Sequence, residues 1–172
     1  VLALCMLLTT TTWGQIPFTQ ASPTVTFDFS AAGTPASVGT NPGSAFNATG
    51  FMPNTVSPAN AGKLNSNTWE INSNTTPHVV FGGNVTTGIN ARGTANVAVT
   101  QGGLYAYTGA PASTTDPMLM IQPNSGYMSQ ANNNYITLRF INNDPNPIVA
   151  LRFKYDVLYR NDKDRATDIT FR

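Results

Sequence analysis

Leu151-Arg152-Phe153-Lys154-Tyr155-Asp156-Val157-Leu158-Tyr159-Arg160 decides how the rest of this chain is read. Leu151, Phe153, Tyr155, Val157 and Tyr159 recur at every second position, and Arg152, Lys154, Asp156 and Arg160 fill the gaps, with Leu158 the exception. A period of two is the signature of a strand, because successive side chains point to opposite faces of a sheet. The stretch is therefore expected to be a long strand with a buried apolar face and a solvent-facing charged one. Asn161–Ala166 reads as a turn and Thr167–Arg172 as the start of a returning strand, so the domain is expected to be incomplete at its C-terminus.

Working back toward the N-terminus, the same alternation recurs in shorter pieces. Tyr135–Asn142 places Ile136, Leu138 and Phe140 on one face, and Asn142–Pro147 follows as a turn in which two prolines cannot donate to a ladder. Met118–Ile121, Leu104–Thr108, Ala95–Thr100, His78–Phe81 and Thr68–Ile71 are further strand candidates. Gly-Gly pairs at 82–83 and 102–103 punctuate them, and Gln101-Gly102-Gly103 is expected to close a tight hairpin. Thr24–Ser30 alternates strictly, with Val25, Phe27 and Phe29 together on one face of a half-buried strand. Residues 31–62 form an unusually long irregular connection, expected to be pinned by Phe46, Phe51 and Met52. No run of ten or more residues carries the helical period, and no internal repeat is visible. These observations predict an all-β fold, an antiparallel, jelly-roll-like β-sandwich over residues 24–172.

Composition agrees. Asn and Thr make up about a quarter of the 172 residues, with 14 Gly and 12 Pro, a mixture suited to many strands joined by polar turns. Only 10% of the residues are charged and the net charge is +1, with no basic stripe interleaved with aromatics, so nucleic acid is not an expected partner. Val1–Leu8 is an apolar run too short to span a bilayer. With small residues at Thr12 and Gly14, residues 1–14 are expected to be a signal peptide lacking its charged start, cleaved to leave Gln15. A lipoprotein signal is disfavoured because Leu4 precedes Cys5. Residues 15–23 read as a linker. Cys5, the only cysteine, would leave with the signal segment, so no disulfide is expected in a mature, secreted or surface-located domain without a membrane span.

Several phrases, in order, carry a resemblance: Leu64-Asn65-Ser66-Asn67-Thr68-Trp69, Ala91-Arg92-Gly93, Gly102–Tyr107, Ile121-Gln122-Pro123, Ile136–Phe140, Tyr155-Asp156-Val157, Arg160-Asn161-Asp162 and Arg165. Over roughly residues 60–172 the chain resembles the N-terminal jelly-roll-type β-sandwich region of large secreted and surface proteins of the Bacteroidetes group. The resemblance implies export by a signal peptide, in many members onward sorting by type IX secretion, and a non-catalytic extracellular module beside other domains. It brings no catalytic residues, and this chain departs from it by carrying no sorting domain and only part of the sandwich.

Chemistry-bearing groups are few. His78 is the only histidine, which excludes a paired-histidine metal site and favours a surface or strand-edge role over catalysis. Glu70 is the only glutamate; with Asp28 or Asp116 it could supply a glycosidase pair only through the fold, and a solvent-facing carboxylate is the preferred reading. Oxygen ligands at Asn161, Asp162, Asp164 and Asp168 could hold calcium, but Lys163 and Arg165 favour a turn laced by ion pairs. Trp69, Tyr105, Tyr107 and Tyr127 could form a sugar-stacking platform, set against packing in the core or at its rim. The sequons at Asn47, Asn74 and Asn84 are read as chance in an Asn/Thr-rich chain. No catalytic residue, metal or cofactor is assigned. The expected function is a non-enzymatic structural or adhesive module of a larger protein, with glycans or other surface components as partners. The alternative is a carbohydrate-binding module attached to a polysaccharide-degrading enzyme.

Overall fold

The computed structural model describes residues 16–19, 24–30, 44–55, 61–73, 78–128 and 134–159. Over these residues the fold is all-β, and one 3₁₀ turn, Gly88–Asn90, is the helical element. Strands β1 (Ile16–Phe18), β2 (Phe51–Met52), β3 (Leu64–Asn65), β4 (Trp69–Asn72), β5 (Thr94–Ala95), β6 (Gly103–Tyr107), β7 (Met118–Gln122), β8 (Tyr135–Leu138) and β9 (Phe140–Asn142) follow in order. The two longest ladders are antiparallel. β4 pairs with β8, setting Trp69 opposite Leu138 and Ile71 opposite Ile136, and β6 pairs with β7 from Gly103↔Gln122 to Tyr107↔Met118. Val79 bridges the other side of Ile71 through two backbone bonds of 2.9 Å. Short parallel pairs β1–β9, β2–β3 and β5–β6 complete the pattern.

Both antiparallel units feed one apolar core. Trp69 and Ile71 from β4 meet Leu104 and Ala106 from β6, with Phe46, Ala48, Phe51, Leu64 and Val79 filling between them. Leu119, Ile136 and Leu138 pack against the outside of this cluster. Gly103–Ala106 are buried on both faces, as a central strand requires, and β6 duly lies between β5 and β7. The long connection is pinned as expected: Phe46, Phe51 and Met52 are all buried, and β2 forms inside it. Gly50 makes this possible, because a Cβ there would collide with the Val85 carbonyl oxygen that accepts from the Phe51 amide.

The fold departs from the sequence expectations at several places, among them His78–Phe81, where Val79 makes an isolated bridge and no strand forms. Gln101-Gly102-Gly103 does not close a hairpin, since β5 runs parallel to β6, with Thr94 opposite Ala106. The glycine pair serves close approach: a Cβ on Gly103 (φ +149°) would sit 2.5 Å from the Ile89 carbonyl oxygen, beside the Arg92 side chain. Residues 96–100 are outside any strand, and β5 is confined to Thr94–Ala95. Thr24–Ser30 joins no ladder, although Phe27 and Phe29 both pack on the core as their spacing predicts. Ile16–Phe18, expected as linker, forms β1 against β9.

The largest departure is the stretch that opened the reading. Residues 151–159 form no strand, and every one of them is exposed. Phe153 retains 62% of its surface and Tyr155 53%. The alternation is there, but among the described residues no strand is hydrogen-bonded beside it. The expected turn before it is present: Asn142 Oδ1 accepts from the Asp144 amide at 3.0 Å, and Asp144 Oδ1 accepts from the Asn146 amide at 3.1 Å.

Candidate functional site

The polar groups singled out by residue type lie in separate local settings. His78 is exposed, its Nδ1 accepting from the Ser73 amide at 3.3 Å. Glu70 sits half-buried on β4 opposite Thr137. Asp28 Oδ1 accepts from the Ser30 amide at 2.8 Å, and Asp116 donates its amide to Ser113 Oγ at 3.0 Å in an exposed turn. No hydrogen bond joins any two of them, and the described residues hold no group of three or more potential metal ligands. The 161–168 cluster lies outside the described residues, as does the Asn74 sequon.

The aromatic candidates are mostly interior. Trp69 is 6% exposed and belongs to the core. Tyr105 is buried, its hydroxyl donating to the Gln101 carbonyl at 2.8 Å, and Tyr127 is buried with its hydroxyl donating to Asn90 Oδ1 at 2.9 Å. Burial pushes the Tyr127 phenol well above its ordinary pKa, outweighing the pull of the Arg92 charge in the other direction. Tyr107 alone of the four is half-buried.

A different set of rings is brought together. Phe46 meets Phe29 at 5.5 Å between centroids, Phe29 meets Trp69 at 6.3 Å, and Trp69 meets Phe27 edge-on at 5.6 Å. Phe27 then meets Phe140 at 6.4 Å, and Phe140 meets Phe153 at 6.1 Å. Each separation lies in the range where aromatic pairs attract beyond their buried area. The run starts in the core and ends on an exposed ring. Past it, Leu151, Phe153, Tyr155, Val157 and Tyr159 line an exposed apolar strip, interleaved with Arg152, Lys154 and Asp156.

Beside this run lies a buried polar turn. Asn65–Thr68 closes with the Thr68 amide on the Asn65 carbonyl at 3.0 Å, and Asn65 Oδ1 accepts from the Asn67 amide. Arg139 interrupts the expected single strand Tyr135–Asn142 and explains why β8 and β9 take different partners. Its amide donates to the Thr68 carbonyl at 3.0 Å, its Nη2 donates to the Asn67 carbonyl at 2.9 Å, and its guanidinium lies 4.3 Å from the Phe81 ring centre. Asn67 Nδ2 and Arg139 Nε are buried donors without an acceptor among the described residues. Leu64–Trp69 and Ile136–Phe140 thus meet at one place. Their joint role there is to fix the turn.

What the geometry defines is an all-β module whose aromatic core opens onto one exposed, alternating strip. Comparison with protein-family models, with curated proteins and with solved structures finds no match to the chain. The residues that sequence reading passed over are Phe140, as the link between core and strip, and Arg139, as the clamp that breaks the strand. A basic residue sharing a strand with Ile136, Leu138 and Phe140 was visible, but the acceptors it reaches lie some seventy residues earlier in the chain.

Proposed function

We propose that the chain is a non-catalytic, extracellular all-β module with a structural or adhesive role, of the type its sequence resembles, and that it works through the strip at residues 151–159. The observation that carries this reading is the aromatic run from Phe46 to Phe153, which couples an exposed apolar surface to the packed core. Contiguous exposed apolar surface rimmed by charge is the usual mark of a contact site for another protein. Export by a signal peptide and residence outside the cell follow from the resemblance and the apolar start of the chain. Among the described residues no helix is long and apolar enough to cross a membrane.

The test is retention on surfaces. The chain and a triple variant, Phe153→Ser, Tyr155→Ser and Tyr159→Ser, are passed over protein-coated and polysaccharide-coated beads. Retention on protein that falls in the triple variant is the expected result. Retention on polysaccharide that is lost in Tyr107→Ala would favour the carbohydrate-binding alternative instead. Tyr107 is the right probe, because Trp69, Tyr105 and Tyr127 cannot be truncated without opening the core. Turnover of ester, glycoside or peptide substrates by the purified chain would contradict the non-enzymatic reading.

A further inference from the structure

The side of the β4–β8 pair turned away from the core is polar, and its polar groups do not bond to one another. Trp69 and Ile71 belong to the core, so Glu70 and Asn72 between and after them point outward. Tyr135 and Thr137 alternate in the same way with Ile136 and Leu138, which pack on the core. The register sets Thr137 opposite Glu70 and Tyr135 opposite Asn72. On the other side of β4, Val79 is buried where it bridges Ile71, and His78 and Val80 on either side of it are exposed. Among the described residues, the side chains of Glu70, Asn72, Tyr135 and Thr137 make no hydrogen bond or ion pair.

Directly opposed side chains on such a face stand about 5 Å apart, and successive outward residues of one strand about 7 Å. That is the scale of a sugar unit. Tyr135 keeps 45% of its surface, enough of a ring for the apolar face of a pyranose to lie against. The two oxygens of Glu70 accept, the Asn72 amide both donates and accepts, and the Thr137 hydroxyl does the same. The Ser73 amide donates to His78 Nδ1 at 3.3 Å, which assigns the proton of the neutral imidazole to Nε2 and leaves that nitrogen a donor. A molecule rich in hydroxyls complements this set, because each hydroxyl donates and accepts at once. Strands backed by the core hold these groups in place, so little order has to be gained on binding.

The charge on the face narrows the choice of ligand. Glu70 has no cation paired with it among the described residues, and Arg139, two residues past Thr137, is committed to the Asn67 carbonyl and the Phe81 ring. The lone carboxylate disfavours phosphates, nucleic acid and acidic sugars, and accepts hydroxyl donors. A protein partner would find few anchors here, since Val80 is the one large exposed apolar residue beside Tyr135. We propose that the outward face of β4 and β8 binds a neutral saccharide, with a sugar ring on Tyr135 and two neighbouring hydroxyls donating to Glu70. The inference goes beyond the proposed function, which works through residues 151–159, and the two surfaces are read by different variants.

Retardation of the full chain in native gels containing a soluble polysaccharide tests it. The probes are mixed-linkage β-glucan, galactomannan and arabinoxylan, with polygalacturonate as the acidic control. At least one neutral polysaccharide is expected to slow the native chain, and polygalacturonate is expected to leave it unchanged. Tyr135→Ala is expected to weaken that binding about tenfold, while Tyr135→Phe keeps the ring and most of the affinity. Glu70→Gln, which keeps the shape but not the charge, is expected to weaken it about tenfold or more. Tyr107→Ala and the triple variant at 153, 155 and 159 are expected to bind as the native chain does. Thermal melts check that each variant folds, as these outward positions should allow. No retardation by any neutral polysaccharide, undiminished binding in Tyr135→Ala, loss in Tyr107→Ala instead, or equal retardation by polygalacturonate would each overturn the proposal.

Discussion

Leu104 and Ala106, on β6, are wholly buried between β5 and β7, whereas Phe153 and Tyr155, on an equally alternating stretch, keep more than half of their surface. The difference lies in what fills the alternate positions. On β6 these are Gly103, Tyr105 and Tyr107, so neither face is charged and the strand is stable only at the centre of a sheet. On 151–159 they are Arg152, Lys154, Asp156 and Leu158, so that face is mostly charged and suits water. Alternation specifies a face; the charge on the opposite face specifies how many neighbours the strand needs.

The sharpest way to break this comparison is to truncate both sides of it. Leu104→Ala is expected to destabilise the chain by about 2–5 kcal/mol, because a filled core site cannot fully collapse. Phe153→Ala is expected to cost less, about 0.5–1.5 kcal/mol, the worth of its ring contact with Phe140. Chemical denaturation of both variants measures this, and equal losses would place the strip inside the core. A smaller effect belongs to the clamp between the two regions. Arg139→Ala removes the bond to the Asn67 carbonyl and the contact with Phe81, and is expected to lower stability by about 1–3 kcal/mol. Arg139→Lys should recover only part of it, since a lysine keeps the charge but not the planar fork. A full recovery by Lys would show that charge alone holds the turn.

Smallest is the effect of the buried phenol, and its sign depends on pH. Tyr127→Phe removes the bond to Asn90 and is expected to lose about 1 kcal/mol near neutral pH. Burial raises the folded-state pKa of Tyr127 above the unfolded value of about 10. Its contribution is therefore fully present below pH 10 and is lost as pH rises from there, because only the unfolded chain releases the proton. The stability gap between the native chain and Tyr127→Phe should narrow above pH 10 in denaturation at successive pH values. A gap that widens there would mean that the phenol ionises in the folded state.

Much of the fold was legible because it rests on local pattern. Short apolar runs bounded by turn residues located β4, β6 and β7, period-two alternation located β8, and the three large apolar residues in the long connection were readable as its anchors. What the pattern could not supply was partner choice. Whether Thr94–Ala95 meets β6 head-on or in parallel depends on the close approach of Gly103 to Ile89 and Arg92, which no local rule encodes. Whether Trp69 offers a sugar a face or fills the interior depends on Phe27 and Phe29, some forty residues earlier. Arg139 reads as an outward charge until its acceptors are known. In each case the deciding contact is long-range, and the sequence shows only one end of it.

Hydrogen exchange of the full chain, followed residue by residue as concentration is raised, tests the central claim most directly. The account predicts slow exchange on β4 and β6 at every concentration. On residues 151–159 it predicts fast exchange in dilute solution. Protection of residues 151–159 equal to that of β6 and independent of concentration would contradict it, since the strip would then be covered by its own chain.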